Sequence, residues 1–271
     1  MPLSKSKGEY FMKKRIYKLM SAVLALSLIF SLAACSNSTT ETTVATTEPP
    51  VISKTPQPAT ISAAIAYFNT VMNAVKTGKP AVKPDVSKNI SNIECENASL
   101  KAAIPTIKKY MLNTDADSAA YGDDLTNIFP IKGQTWSSNL TANDVKYATC
   151  LEAAKTYEIN IRFKDEKDAA PLSSSLGKAF DLVDKAAILK EFEKAKAYIT
   201  VDKLDLVFTG CYILCSVDRA TDQVLSVTYK LFADASSSVT GTGTLQGMGT
   251  VPLSLRYEST ITYTLDWTKP E

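Results

Sequence analysis

Apolar residues recur along the chain with two periods. Ile61, Ile65, Phe68, Met72 and Val75 follow at alternating steps of four and three, the stripe of an amphipathic helix, with Thr60 placed to cap its start and Gly78 and Pro80 to end it. A second helical stripe, Leu100, Ile104, Ile107 and Met111, comes after a polar run through Asn89. Pro105 falls inside it and either kinks the helix or stands in its first turn. Residues 113–140 read mostly as loop, with Phe129, Ile131 and Trp136 as lids over the core. At Val145 the period becomes two. Val145–Glu152 and Thr156–Phe163 read as a hairpin, the second strand turning Tyr157, Ile159, Ile161 and Phe163 to one side and Glu158, Asn160 and Arg162 to the other.

Residues 173–183 match neither period, and Lys185–Ala197 reads as a helix capped by Asp184 with Ile188, Leu189 and Phe192 inward. A meander then follows: Val201–Phe208, Cys211–Val217, Val224–Phe232, a Thr- and Gly-rich curved or edge strand over Val239–Met248, and Leu253–Trp267. In the last strand Tyr257, Ile261, Tyr263, Leu265 and Trp267 share a face opposite Thr260, Thr262, Thr264 and Asp266. Such alternation predicts an antiparallel sheet with one face covered and one wet. The pattern predicts one α+β domain over 61–271, a twisted antiparallel sheet of hairpin plus C-terminal meander packed on helices, with a half-barrel as one form it could take. The aromatic row Tyr257, Tyr263 and Trp267 is expected to pack on Ile188, Leu189 and Phe192.

The first sixty residues show neither period. Lys13, Lys14, Arg15 and Lys18 precede an apolar run from Leu19 to Phe30, which ends in Leu32-Ala33-Ala34-Cys35. The run is short for a membrane span, which takes ~20 residues, and has the parts of a secretory signal. Its end resembles the lipobox of bacterial lipoprotein signals. That resemblance implies removal of residues 1–34, a diacylglyceryl group on Cys35, and attachment to the extracytoplasmic face of the cell membrane. Residues 35–60, rich in Ser, Thr and Pro, are expected to be a tether, because such composition cannot bury enough apolar area to offset its ordering entropy.

Charge changes the picture once the signal is set aside. Of 30 basic and 28 acidic residues, the first 34 positions hold six and one, so the mature chain is left with 24 against 27. A net charge of −3 with no concentrated basic run argues against nucleic acid as a partner. Histidine is absent, which removes Ser-His-Asp and Cys-His catalysis and His-ligated metal sites.

Three short patterns match penicillin-binding proteins and serine β-lactamases: Ser175-Leu176-Gly177-Lys178, Ser137-Ser138-Asn139 and Lys76-Thr77-Gly78. Their order along the chain is the reverse of that family's. Asp115, Asp117, Asp123 and Asp124 do not fit a calcium loop, since Ala120 and Thr126 stand where glycine and glutamate are needed. Glu158, Asp165 and Glu166 are carboxylates at a strand end, the residue type a glycosidase sets across a cleft. Cys95, Cys150, Cys211 and Cys215 are an even set in an exported chain. Cys211 and Cys215 lie ~13 Å apart along one strand and cannot bond to each other. A disulfide is therefore expected, if formed, between Cys150 and either Cys211 or Cys215, while small buried hydrophobes is the other reading of these residues.

The whole mature arrangement resembles a group of uncharacterised lipoproteins from Gram-positive, clostridia-like bacteria, through Tyr121-Gly122-Asp123-Asp124-Leu125, Trp136-Ser137-Ser138, Tyr157-Glu158-Ile159 with Lys164-Asp165-Glu166, and Gly210-Cys211 with Val217-Asp218. That resemblance implies location and fold, and no activity. In architecture the chain is also similar to lipoproteins whose half-barrel sheet holds an acyl chain. The expected role is a membrane-anchored, non-catalytic binding or interaction module, without cofactor or metal, whose partner is a protein or a hydrophobic ligand. Two other classes stay open: a carrier or sensor of a hydrophobic small molecule in a sheet–helix cavity, and a carboxylate-dependent glycan hydrolase.

Overall fold

The computed structural model describes residues 51–271 apart from 113, 115, 194 and 195. The signal peptide expected over 1–34, the lipidation expected on Cys35 and the tether expected to residue 50 lie outside the described residues, as does Asp115. The first helix, α1 (Ile61–Gly78), forms as its stripe predicts: the Thr60 hydroxyl accepts the Ala63 N–H, and Lys79 ends the helix in the left-handed region. Ile65, Phe68, Met72 and Val75 are buried, whereas Ile61 stays outside. A Cβ on Gly78 would lie 2.5 Å from the Trp267 ring, so only glycine lets the helix end meet the chain's last aromatic.

The polar run after α1 is a 14-residue strand, β1 (Ala81–Glu94), paired antiparallel with the last strand, β8 (Thr250–Asp266), from Ala81↔Asp266 to Ser91↔Arg256. It runs along a sheet edge. Val82 exchanges both backbone hydrogen bonds with Ala119 on the outer side, and Pro84, in phase with Val82, turns its missing N–H to the same side. That placement keeps proline out of the ladder and blocks a further strand. Helix α2 (Ala98–Met111) runs through Pro105, which excludes the first-turn placement, and the Asn97 side chain accepts the Leu100 N–H. Leu125, Phe129, Ile131 and Leu140 from the following loop are buried. Phe129 and Ile131 are thus core residues, not lids.

Strands β2 (Val145–Glu152) and β3 (Thr156–Phe163) form the predicted hairpin. The two-residue β4 (Glu166–Lys167) and α3 (Lys185–Glu193) precede β5 (Ile199–Phe208), β6 (Tyr212–Asp218) and β7 (Val224–Gly241). Asp184 accepts the Ala186 N–H at the start of α3. The sheet order is β1-β8-β7-β6-β3-β2, with β5 beside the second half of β7 and β4 beyond it. All pairings are antiparallel, which makes an open, twisted, sheet-dominated α+β arrangement. The strand expected over Val239–Met248 is corrected: β7 continues to Gly241, and Gly243–Met248 is a 3-10 turn into β8. Gly241 fits because a Cβ there would strike the Leu245 carbonyl, and Gly243 because its φ is positive. At ~3.3 Å per residue, β7 spans roughly 60 Å and holds both halves of the sheet together.

One face of the sheet is covered. Five rings run edge-to-face through this core, Phe163–Phe180–Tyr229–Tyr263–Phe129, with centroids 5.3, 5.4, 6.1 and 5.1 Å apart. The packing expected of the aromatic row on α3 is therefore corrected. Tyr263 meets Phe129 and Tyr229, and Trp267 donates its indole N–H to Val224 O beside Gly78. The strand that α3 packs on is β5.

The tether expected to residue 60 gives way by Ser53 to a docked segment. Asp222 accepts from the Thr55 hydroxyl at 2.6 Å and the Tyr67 hydroxyl at 2.7 Å, and Lys54 N–H donates to Arg219 O at 2.7 Å. Gln57 donates to Cys150 O at 2.8 Å, and Tyr157 OH to Thr55 O at 2.9 Å. Low apolar content does not keep this stretch free, because side-chain hydrogen bonds replace apolar burial.

Candidate interaction face

The residues with candidate chemistry are occupied in structural bonds. Asp144 accepts from Lys178 Nζ at 2.8 Å, from the Ser175 hydroxyl at 3.2 Å, and from the Thr141 N–H and hydroxyl, both at 2.7 Å. Serine and lysine thus donate to one carboxylate, and an ammonium held in that ion pair has no lone pair with which to take the serine proton. Ser137 and Ser138 are buried, with both N–H groups on Asn73, while the Asn139 N–H donates to Lys178 O. Lys76 is buried and donates to the carbonyls of Ile131, Gln134 and Trp136 at 2.6, 2.7 and 3.2 Å. Burial pulls its pKa down to about 8, but three carbonyl acceptors match the three N–H groups of the ammonium. The three patterns meet in space as a brace between α1 and the loop below it.

The carboxylates are likewise separated. Glu158 accepts from Thr156 and Ser216, Glu166 from the N–H groups of Ser175 and Leu176, and Asp165 from Gly210 N–H. Asp123 accepts Ala120 N–H, and Asp124 takes both the N–H and the hydroxyl of Thr126. These are turn and strand-end contacts. Among the described residues no three His, Cys, Asp or Glu side chains gather around one point.

The disulfide expected from Cys150 to Cys211 or Cys215 is corrected by the strand order. Cys150 pairs with Ile159 on β3, and Ile159 pairs with Cys215 on β6, so a whole strand lies between the two cysteines at a separation of ~9.6 Å. Cys211 lies just before the start of β6, four residues from Cys215 and further still from Cys150. Among the described residues all four cysteines, Cys95 included, are free and buried. Burial pushes the Cys150 and Cys211 thiols up to about 11 and the Cys215 thiol higher still.

Between α2 and the sheet, a gap lined by Ile90, Ile93, Ile104, Leu253 and Leu255 measures about 20 Å³, room for little more than one water against the ~300 Å³ of a small ligand pocket. The larger recess, about 240 Å³, is an open groove over β5, β7, β8 and β1, lined by Val207, Asp234, Ser236, Ser254, Arg256 and Glu94.

That groove opens on the other side of the sheet, where the alternate residues of every strand point. Register sets these residues in rows. Tyr147 of β2 is opposite Arg162 of β3, Arg162 opposite Tyr212 of β6, and Tyr212 opposite Lys230 of β7. Thr260 of β8 and Ser87 of β1 complete the row. The next row reads Thr149, Asn160, Leu214, Thr228, Thr262 and Asp85. Here Tyr147 is 47 % and Leu214 41 % exposed, and the hydroxyls of Thr228 and Thr262 meet at 2.8 Å. The Arg162 guanidinium lies 4.1 Å from the centre of the Tyr212 ring. Lys230 and Arg256 approach Phe232 at 5.4 and 4.9 Å, and Arg256 also pairs with Asp234 at 2.9 Å. Four of these positions, Asn160, Arg162, Thr260 and Thr262, lie on faces that the sequence pattern already places away from the core. Their neighbours across the strands come only from the register. No family model, curated protein or solved structure matches the chain.

Proposed function

We propose that this protein is a membrane-anchored extracytoplasmic lipoprotein, held by a diacylglyceryl group on Cys35, that acts as a non-catalytic binding or interaction module through the bare face of its sheet. Anchoring rests on the lipobox after a signal-length apolar run, since two acyl chains give stable attachment where one is marginal. The resemblance to clostridia-like lipoproteins points the same way. The single observation that carries the binding role is the row Tyr147–Arg162–Tyr212–Lys230, which sets the exposed Tyr147 and Arg162 in line with the half-buried Tyr212 and Lys230 over four strands. Tyrosine and arginine are the side chains that most often anchor contacts. The half-barrel carrier reading would need the 20 Å³ gap under α2 to widen more than tenfold. The hydrolase reading would need two carboxylates facing across a cleft, whereas Glu158, Asp165 and Glu166 are each bound elsewhere.

The test uses intact cells. A Val183→Cys variant, changed at an exposed residue outside the strands and treated with a membrane-impermeant maleimide, should be labelled without lysis and recovered in the membrane fraction. The four cysteines among the described residues are buried and leave a quiet background. Adding Cys35→Ala should leave the chain uncleaved. Wild-type protein in the soluble fraction, or labelling only after lysis, would overturn the proposal.

A further inference from the structure

We infer that the partner of the bare face is a second copy of this chain, seated face to face about a two-fold axis that runs across the strands through Leu214. This rests on the binding role proposed above and names its partner.

The exposed apolar side chains of this face lie together. Tyr147 and Leu151 on β2 are 47 and 62 % exposed, and Leu214 on β6, across β3 from them, is 41 % exposed. A third row, Leu151–Glu158–Ser216–Ser226, runs beside the row of Thr149, Asn160, Leu214 and Thr228. About that middle row the face is self-complementary: Tyr147 and Leu151 flank Thr149, Arg162 and Glu158 flank Asn160, Tyr212 and Ser216 flank Leu214, and Lys230 and Ser226 flank Thr228. A half-turn about the row therefore brings Tyr147 over the second copy's Leu151 and Arg162 over the second copy's Glu158, each contact occurring twice. Leu214 then meets its own counterpart on the axis.

Charge favours a partner that carries both signs. Among the described residues Arg162 has the Tyr212 ring as its neighbour and no carboxylate, and Glu158 has the hydroxyls of Thr156 and Ser216 and no cation. On their own strand the two stand ~13 Å apart, too far to pair. A partner of one sign would satisfy only one of them, whereas the half-turn gives each its opposite. The other charges of the face do not oppose this. Arg256 pairs with Asp234 and Glu258, two and three rows from the axis, Lys230 comes over the second copy's Ser226, and Asp85 stands with Lys83 on β1 at the margin. Two twisted sheets pack in this way ~10 Å apart with their strands within about 30°. The rows over β2, β3, β6 and β7 cover roughly 400 Å² per copy, about half the ~800 Å² of a standard interface. Pairing should therefore be weak in free solution and become substantial where one membrane holds both copies at high effective concentration.

The experiment reconstitutes the full-length Leu214→Cys variant in phosphatidylcholine vesicles, treats it with a short bis-maleimide and reads covalent dimer on a gel. Dimer is expected from position 214, and about tenfold less from Val183→Cys, an exposed residue outside the strands. Adding Arg162→Glu or Glu158→Arg sets like charges face to face at both contacts and should cut the dimer about tenfold or more, with Arg162→Gln falling between. The two reversed variants mixed together set opposite charges at both contacts and should restore it. Equal linking from positions 214 and 183, a dimer that survives either reversal, a mixture that stays unlinked, or no dimer at all would overturn the inference. A photo-cross-linking side chain at position 214 in intact cells separates the two levels: adducts with other proteins alone refute this inference only, and no adducts refute the binding role beneath it.

Discussion

Asp222 should be the latch that closes the N-terminal segment onto the domain, and Asp222→Ala should open it. Its carboxylate accepts from the Thr55 and Tyr67 hydroxyls at 2.6 and 2.7 Å. Burial and the Asp222 contact raise the Tyr67 pKa, so its hydroxyl remains a donor. Hydrogen bonds to a charged group are worth about 1.5–3 kcal/mol each. Two that share one acceptor do not add fully, so the loss should be about 3 kcal/mol out of a typical 5–15. With a urea dependence of about 2–3 kcal/mol per molar, the unfolding midpoint should fall by about 1 M. Asp222→Asn keeps an acceptor without the charge and should lose roughly half as much. Lys54 lies within the docked stretch, so trypsin should cut after it faster in the alanine variant while the rest of the domain resists. A stability change below about 0.5 kcal/mol, with unchanged cleavage at Lys54, would refute the latch.

Asp144 gives a pH signature. Burial acts to raise its pKa, but Lys178 and the Thr141 donors outweigh burial and hold it below the usual carboxylate range. Its contribution is therefore present above the unfolded value of ~4 and lost as pH falls through the folded value. Asp144→Asn should be least stable relative to wild type near neutrality and converge with it in acid, as read from urea midpoints over that range; a constant difference would contradict this. The native protein should show no rapid thiol modification near pH ~8 because burial raises the Cys150, Cys211 and Cys215 thiols. Mass mapping that finds a Cys150–Cys215 bond would contradict the β2-β3-β6 order. Gly78→Ala should push the Trp267 ring off its place and shift its fluorescence, at a cost of about 1–3 kcal/mol; an unchanged spectrum would contradict that contact.

How much was legible depended on how local the cause was. α1, the β2–β3 hairpin and β8 each have one buried and one open side, so burial alone imprints the period on the residues. β1 was hidden because its outward positions, Lys83, Asp85, Ser87 and Asn89, are polar while Pro84 sits among its inward ones. Only its edge position makes that proline tolerable. The second half of β7 was hidden by Ala233, Ala235 and the serines 236–238, small residues that carry little hydrophobic signal yet pair in full register with β5 and β8. Residues 53–57 read as tether because hydrogen bonds to Asp222, Arg219 and Cys150 leave no periodicity. The candidate face was half legible: the outward turn of Arg162 and Thr260 follows from alternation. The alignment of Tyr147, Arg162, Tyr212 and Lys230 depends on register among strands far apart in the chain, which no local pattern contains.

The most direct test of the central claim places a photo-cross-linking side chain at Leu214 on the bare face, or at Val183, an exposed residue outside the strands, in intact cells. Binding by the sheet's open face predicts adducts from position 214 that disappear when Arg162 and Lys230 are both changed to Gln, with few from position 183. Equal adducts from both positions, or none from position 214 in membrane-held protein, would contradict it.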